Sequence, residues 1–217
     1  MSKLVPVTSI SKSLADQPLD SNDMTTTRPG LRERKKLAAM RRIQEVALDL
    51  FDERGFSDVT IEEIADSADV SPSSIYRYFG TKEQVILWDD FDVQFFNAAD
   101  AALASKSPVQ AMRAALAETM TQFYERDEAL ARRKTRYALE EPALRPALME
   151  TTDEFAHRVA EGLRSSDAQL DELEAEVTAA AMVWAMMAAS RHWLRSGFEG
   201  SIREELERAL DIVERGL

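Results

Sequence analysis

The chemistry that this sequence offers begins with a cluster of basic side chains near its N-terminus. Between residues 28 and 42, seven basic residues stand against one acid, Glu33, which gives a local charge of +6. Residues 89 to 217 hold 15 basic and 25 acidic side chains, and the 217-residue chain carries a net charge of −12. A basic segment on an acidic protein indicates a small polyanion-binding surface. A solvated basic helix face is the alternative that charge alone leaves open.

Side chains suited to catalysis or metal binding are sparse. The chain has no cysteine, which excludes disulfides, a thiolate nucleophile and Cys-based zinc or iron–sulfur sites. Its two histidines, His157 and His192, lie far apart in the sequence. No pair of Asp or Glu residues is marked by a flanking motif, and there is no phosphate-cradling glycine loop. We therefore expect no catalytic site, no metal site and no cofactor.

Two short helices must position a second group of candidate binding side chains. Thr60 with Glu63 has the spacing of a capping box and predicts a helix of about two turns. Ser71 followed by Pro72 is typical of an N-cap with proline at N1, and predicts a second short helix through Phe79. Joined by so tight a turn, the pair has the geometry of a helix-turn-helix. The side chains that its second helix would expose are Ser73, Ser74, Tyr76 and Arg77.

The rest of the chain is almost entirely helical in pattern. Apolar residues from Leu37 to Phe51 recur at three and four residues, and predict a first helix that carries the basic cluster and ends at Gly55. Thr81 with Gln84 caps a fourth helix that we expect to continue to about Ala104, and five more follow. We predict an all-α chain of about nine helices with a disordered tail over 1–29, a three-helix helix-turn-helix head over 30–86 and a helical body over 87–217.

One stretch of the sequence, LFDERGFSDVTIEEIADSADVSPSSIYRYFGTKEQVI at residues 50 to 86, resembles the DNA-binding head of TetR-type transcriptional regulators. The resemblance rests on an ordered series: RGF, then T-x-E-x-I-A, then V-S-x-x-x-I-Y-R-Y-F, then T-K-E. Asp69 stands where a turn glycine is common, and aspartate visits the left-handed region more readily than most residues. Tyr78 stands where histidine is frequent, and its hydroxyl can still donate to a phosphate oxygen.

The resemblance implies a map of DNA contacts. The residues expected at phosphates are Thr60, Arg77, Tyr78 and Lys82, and those expected at base edges in the major groove are Ser73, Ser74 and Tyr76. The arm from Arg28 to Lys36 would follow the backbone or enter a minor groove. The rest of the predicted DNA-binding set is Arg32, Arg34, Lys35, Lys36 and Ser71. Taken singly, the serines can also merely complete a helical turn and Tyr78 can be packing.

The resemblance further implies a homodimer with an effector. In that family the last two long helices pair with their symmetry mates, which gives the apolar run from Ala179 to Ala189 a second surface to cover. A monomer core is the alternative. We place Ala189 and Leu206 in this interface. We also treat the fourth helix as a lever between Lys82 and the body.

Two strings, LWDDFD at 87–92 and LEEPALRPAL at 139–148, look like a branch with an acyl-CoA-like ligand-binding C-terminal domain, which includes regulators associated with mycofactocin clusters. An anionic headgroup would meet basic side chains of the body, unless these pair with acids such as Glu128 and Glu140. The basic candidates are Arg132, Arg133, Lys134, Arg136 and Arg145. Aromatic and thioether side chains would line an apolar cavity, with core packing as the alternative role. They are Phe91, Phe95, Met112, Met120, Phe123, Tyr124, Phe155, Met182, Trp184 and Met186.

We expect a ligand-responsive repressor that binds pseudo-palindromic double-stranded DNA and is released by a small apolar effector, with long-chain acyl-CoA as the first candidate. The alternatives are a helical DNA-binding protein without an effector and, less favoured, an acid–base enzyme. The longest charge-free stretch of the apolar part, Val177 to Ser190, has 14 residues and is too short to span a bilayer. No signal-peptide pattern begins the chain, so we expect a cytoplasmic location and no membrane partner. Met24 is a second candidate for the natural start.

Overall fold

A computed structural model describes residues 31–89, 92–123, 127–166 and 170–216. Over these residues the chain forms ten α-helices and one 3-10 turn, with no strand, which confirms the all-α prediction. The chain divides between Trp88 and Asp89 into two compact units, the head and the body. The predicted tail over 1–29 lies outside the described residues.

The head consists of four helices around a small apolar core. They are α1 (Leu31–Arg54), α2 (Ile61–Ser67), α3 (Pro72–Phe79) and α4 (Lys82–Leu87). The side of α2 that faces this core consists of Ile61, Ile64 and Ala65 with the C-cap Ala68, which are all at most 8% exposed. Gly55 ends α1 with a φ of 87°, and Phe56 then folds back so that its ring lies 5.0 Å from that of Phe51.

The turn between α2 and α3 is a Schellman motif. Asp69 has a φ of 57°, which confirms the left-handed conformation expected at this position. Its N–H donates to the carbonyl of Asp66, and the N–H of Val70 donates to the carbonyl of Ala65 at 2.9 Å. These bonds satisfy carbonyls at the end of α2 and turn the chain directly into α3.

Helix α4 is much shorter than the sequence predicts. It begins as expected, with the Thr81 hydroxyl accepting from the N–H of Gln84, but it ends at Leu87 because Trp88 adopts an extended conformation. The side-chain amide of Gln44, on α1, donates to the carbonyl oxygens of Val85 and Trp88 at this end. The expected continuous helix to Ala104, and the lever based on it, are therefore wrong. The division of this helix also explains why ten helices are present where about nine were predicted.

The body consists of six helices and a 3-10 turn, and its long helices pack as neighbouring pairs. The elements are α5 (Asp92–Leu103), α6 (Pro108–Phe123), α7 (Glu128–Glu140), the turn at Pro142–Leu144, α8 (Arg145–Ser165), α9 (Glu172–Arg195) and α10 (Ile202–Glu214). Helix α5 packs on α6, and α9 packs on both α8 and α10. Among the described residues, no helix is long and apolar enough to cross a membrane.

The end of α9 fixes an aromatic pair in the body. Gly197 has a φ of 73° and Phe198 a φ of 63°, and the N–H of Phe198 donates to the carbonyl of Trp193 at 2.8 Å. The two rings stack edge to face at 4.7 Å. The end of α9 is thus a second Schellman motif, and its accompanying hydrophobic contact packs Phe198 on the buried Trp193.

Two residues expected at the dimer interface lie instead in the body's own core. Ala189 and Leu206 are each 5% exposed and belong to the apolar cluster that α9 and α10 form with their neighbours. Because α9 is apolar on nearly every side, its sequence does not show which side the core takes. A charge at either position would disrupt the body itself.

Candidate functional site

Helix α3 presents polar side chains on a rigid base. Its apolar residues Ile75 and Phe79 are 0% and 2% exposed, which anchors the helix in the head. On the opposite side, Tyr76 is 50% exposed, and Ser73 and Arg77 are exposed as well. The sequence predicts this arrangement for a recognition helix, except that Ser74, which was expected to be exposed, is half-buried.

The serines at the start of α3 form a hydroxyl cluster. Ser71 is the N-cap and accepts from the N–H of Ser74, and its Oγ lies 2.9 Å from the hydroxyls of both Ser73 and Ser74. Arg77 donates to the Ser74 hydroxyl at 3.3 Å, and its guanidinium lies 4.9 Å from the ring centre of Tyr78. The predicted DNA-binding residues Ser71, Ser73, Ser74, Arg77 and Tyr78 are thus connected to one another by polar contacts.

At the start of α2, the Glu63 carboxylate is the centre of a hydrogen-bond network. The Glu63 carboxylate accepts from the Thr60 N–H at 2.8 Å, from the Thr60 hydroxyl at 2.9 Å and from Arg54 at 2.8 Å. These hydrogen bonds, led by that of the Thr60 backbone, lower the pKa of Glu63 to about 2. Arg54 also donates to the carbonyl of Asp58 at 2.6 Å. This role of Arg54 was not predicted, although Arg54 is the arginine of the RGF motif.

The Lys82 ammonium is hydrogen-bonded to backbone carbonyl oxygens within the head. Its ammonium donates to the carbonyls of Phe56 at 2.7 Å and Val59 at 2.8 Å, and lies 4.2 Å from the centre of the Phe56 ring. Together with Arg54, it therefore clamps the loop between α1 and α2. Helix α4 has only six residues. The positive potential at its N-terminus, which would attract a phosphate together with the Lys82 ammonium, is therefore smaller than that of the long helix that was predicted.

The basic cluster lies on the first turns of α1. Arg32, Arg34 and Lys35 are exposed, while Lys36 is half-buried and pairs with Glu33 at 3.6 Å. Arg28 lies outside the described residues. The segment from residue 31 to 36 is helical, so this part of the predicted arm presents its charges from a helix.

The side chains predicted to bind an effector are mostly packed in the body core. Phe95, Met112, Met120 and Met182 are at most 3% exposed, and Phe155 stacks with Phe95 and Phe96 at 5.4 and 4.8 Å. Trp184 and Met186 are half-buried on α9. The remaining predicted side chains, Phe91, Phe123 and Tyr124, lie outside what the structure describes.

One of these residues, Met120, borders a cavity of about 230 Å³ in the body. The apolar part of its wall is completed by Trp193 and Ile202, and the polar part includes Glu128 and the start of α10. The lining residues are Met120, Glu128, Trp193, Gly200, Ser201, Ile202 and Arg203. The Trp193 indole donates to the carbonyl of Gly200 at 3.3 Å, which holds this wall together.

A second cavity of about 300 Å³ lies between α5 and α8. Its wall combines Phe96 and Leu103 with the charged side chains of Asp100, Arg158 and Glu161. The Arg158 guanidinium lies 4.1 Å from the centre of the Phe96 ring. This cavity is more polar than the first.

Two basic residues of α7 are paired with acids. Arg132 forms an ion pair with Glu128, one of the acids expected as an alternative partner for these basic residues. The Lys134 ammonium lies 2.9 Å from the carboxylate of Asp89, which was not foreseen because the two are 45 residues apart.

Helix α9 has an exposed apolar stripe on the side away from the core. Leu173 is 70% and Val177 59% exposed, and they are followed at helical spacing by Ala181 and Ala188, with the half-buried Trp184 between these two alanines. The charges of the helix are polarised along its length. Acids stand near its start at 171, 172, 174 and 176, and basic residues near its end at 191, 192 and 195.

Family comparisons match both units of the chain. Residues 43–87 match the model described as bacterial regulatory proteins of the tetR family, and residues 106–217, half of the chain, match the MftR C-terminal domain. The chain is 29% identical over 188 residues to MftR of Mycobacterium tuberculosis, named as a mycofactocin biosynthesis transcriptional regulator, across 85% of this chain and 93% of that one. It is 34% identical over 103 residues to the HTH-type transcriptional regulator TcmR of Streptomyces glaucescens, across 46% of each protein.

Solved structures share the fold at low sequence identity. Thermus thermophilus FadR, a TetR-family repressor crystallised with lauroyl-CoA, has a TM-score of 0.52 at 23% identity and covers 82% of this chain and 94% of its own. The fatty acid degradation regulator FadR of Bacillus halodurans has a TM-score of 0.57 at 16% identity, over 88% of this chain and 98% of its own.

These matches exclude the acid–base enzyme, because the family is one of transcriptional regulators. Its members bind DNA, act as dimers and bind small-molecule ligands. The chain belongs to the TetR family of transcriptional regulators and carries a C-terminal domain of the MftR type.

Proposed function

We propose that this protein is a homodimeric repressor that reads a pseudo-palindromic operator with α3 and is released by an acyl-CoA. The observation that carries the DNA-binding part is the exposed Tyr76 on a helix anchored by the buried Ile75 and Phe79. A tyrosine, a serine and an arginine on one exposed face can make hydrogen bonds and apolar contacts to base edges in a major groove.

Phosphate binding is assigned to residues that flank this helix. Arg77 and Tyr78 stand near its end, and the basic residues of α1 add positive charge. Lys82 retains one of its three N–H donors after bonding the carbonyls of Phe56 and Val59. We assign Lys82 two roles: it donates to a phosphate, and it fixes the loop that leads to Thr60.

We assign the exposed apolar stripe of α9 as the surface that binds the second copy of this chain in the dimer. Leu173, Val177 and Trp184 would be covered by the partner, and the alanines allow the two helices to approach closely. If the two copies of α9 lie antiparallel, the acidic start of one meets the basic end of the other, which favours this orientation. This stripe replaces Ala189 and Leu206 as the expected interface.

The effector is assigned to the cavity beside Met120. A cavity of 150 Å³ can hold benzene, so about 230 Å³ accommodates only part of a long acyl chain in the present arrangement. Met120 and Met182 have flexible thioether side chains, which can repack around a longer chain. The fold shared with a FadR that was crystallised with lauroyl-CoA supports an acyl-CoA as the effector.

The DNA-binding part is tested by selection from random duplex DNA at defined salt. We expect the retained sequences to contain two inverted half-sites separated by about one helical turn or a small multiple of it. Affinity for the selected duplex should fall steeply as salt increases, because phosphate contacts release counterions. Retention of single strands or of sites without inverted symmetry would contradict the proposal.

The effector part is tested by titrating lauroyl-CoA with and without the selected duplex. A ligand that favours the DNA-incompetent state must bind more weakly, by the same factor, when the duplex is present. Coenzyme A alone and free laurate serve as controls for the two ends of the molecule. Tight lauroyl-CoA binding that is indifferent to the duplex would leave a DNA-binding protein with another effector.

A further inference from the structure

We propose that the ion pair between Lys134 and Asp89 is a positioning contact through which the body sets the DNA affinity of the head, a role that rests on the proposed function. The Lys134 ammonium lies 2.9 Å from the Asp89 carboxylate. The two side chains are only 16% and 23% exposed, so solvent and salt screen this pair less than an ordinary surface pair.

The position of Asp89 in the chain gives this pair its importance. Asp89 is the first residue of the body, and Trp88 is the last residue of the head. Trp88 is anchored within the head, because its carbonyl accepts from Gln44 at 2.9 Å and its ring meets that of Phe79 edge to face at 5.8 Å. Asp89 is anchored within the body by Lys134. One peptide bond therefore joins two residues that are each held by their own unit.

The anchor in the body belongs to a helix that also borders the cavity. Glu128 lines the cavity at the start of α7, and Arg132 pairs with Glu128 and lies 5.7 Å from the ring centre of Trp193, another lining residue. Lys134 lies six residues after Glu128, about 9 Å along the same helix. Because a helix of this length moves as one piece, a shift of α7 at the cavity is transmitted to Asp89.

Loss of the pair should loosen the connection without changing the DNA-binding surface. Asp89 would gain conformational freedom, and DNA binding would then have to restrict that freedom again, which weakens affinity. The number of phosphate contacts would stay the same. The expected result is weaker binding with an unchanged dependence on salt.

The test compares Lys134→Met with Arg164→Met, a control at an exposed basic residue of α8. Hydrogen exchange is measured in peptides that span Trp88 and Asp89, where the Trp88 N–H is protected by the carbonyl of Gln84. We expect exchange several-fold faster in Lys134→Met than in the control. The affinity for the selected duplex should fall about fivefold in Lys134→Met, with the same slope against salt concentration.

A charge exchange provides the rescue. The double variant Asp89→Lys with Lys134→Asp restores opposite charges and should recover both slow exchange and duplex affinity. If Lys134→Met does not fold, Asp89→Asn is tested in its place. Equal exchange, or equal duplex affinity, in the Lys134→Met and Arg164→Met proteins would overturn the inference. Failure of the unaltered protein to bind any selected duplex would instead overturn the proposed function.

Discussion

The side chain of Gln44 on α1 is bonded to the backbone of Trp88, 44 residues later, with its amide nitrogen 2.9 Å from the Trp88 carbonyl oxygen. The same nitrogen lies 2.8 Å from the carbonyl oxygen of Val85. Gln44 is 3% exposed, so these carbonyls are satisfied by protein where water has little access. One buried amide thus bonds the carbonyl oxygens at the end of α4 and holds the last residue of the head.

Replacing Gln44 with Met should destabilise the head by about 2 kcal/mol, because buried carbonyls lose their donor while the side-chain volume is nearly kept. Glu45→Met, at the exposed neighbouring position, is the control and should change stability by less than about 0.5 kcal/mol. Urea unfolding followed by circular dichroism measures both. Equal stability of the two variants would show that the amide contributes nothing net at this helix end.

Replacing Asp69 with Gly should stabilise the protein by about 0.5–1 kcal/mol. Asp69 has a φ of 57°, and glycine occupies this region without the steric cost that a Cβ imposes. The control is Ser67→Gly in the last turn of α2, where glycine should cost about 0.5 kcal/mol because it is a poorer helix former than serine. Thermal unfolding distinguishes the two, and a loss of stability in Asp69→Gly would contradict the expected strain.

The network around Glu63 should make stability depend on acid pH. Hydrogen bonds from Thr60 and Arg54 lower the pKa of Glu63 from its ordinary value of 4.5 to about 2. A carboxyl group with a lowered pKa in the folded state stabilises the fold fully above pH 4.5, and this contribution is lost as the pH falls from about 4.5 to about 2.

Glu63→Gln tests this dependence. The variant should be less stable than the unaltered protein at pH 7, and the difference should narrow steadily between pH 4.5 and pH 2. Glu62→Gln, at the exposed residue beside it, serves as the control. Thermal unfolding at each pH gives the difference, and a constant gap down to pH 2 would show that Glu63 does not titrate in this range.

Two alanines on α9 should respond differently to the same substitution. Ala181 is exposed on the apolar stripe, so Ala181→Arg should yield a folded monomer, because an unpaired charge in a desolvated interface costs several kcal/mol. Ala189 is 5% exposed in the body core, so Ala189→Arg should lose helical structure. Sedimentation and circular dichroism separate these outcomes. A stable Ala181→Arg dimer would place the partner on another surface.

Residues of the DNA surface should divide into those that read sequence and those that support binding. Tyr76→Ala should change which bases are preferred at one half-site position, since its exposed ring faces away from the core. Lys82→Gln should weaken binding to every duplex and also lower the free energy of unfolding by about 1–2 kcal/mol, because two backbone carbonyls lose a charged donor. Selection from random DNA and thermal unfolding measure these effects; unaltered stability of Lys82→Gln would argue against the loop clamp.

The sequence by itself determined the parts of this protein that depend on neighbouring residues. Thr60 with Glu63 forms the capping box, Ser71 with Pro72 starts α3, and Asp69 adopts the left-handed turn, all as predicted. Each of these features is formed by groups within about five residues of one another. Local hydrogen bonds and steric limits are therefore sufficient to specify them.

The tertiary structure decided where distant residues meet. Gln44 bonds a carbonyl of α4 from 41 residues away, Lys82 bonds carbonyls 23 and 26 residues earlier, and Lys134 pairs with Asp89 across 45 residues. The apolar run of α9 could bury either side, and only the packing of α8 and α10 turned Ala189 inward and left Ala181 exposed. Periodicity within one helix identifies apolar faces, but the choice of neighbour depends on the shapes and packing of helices that lie far apart in sequence.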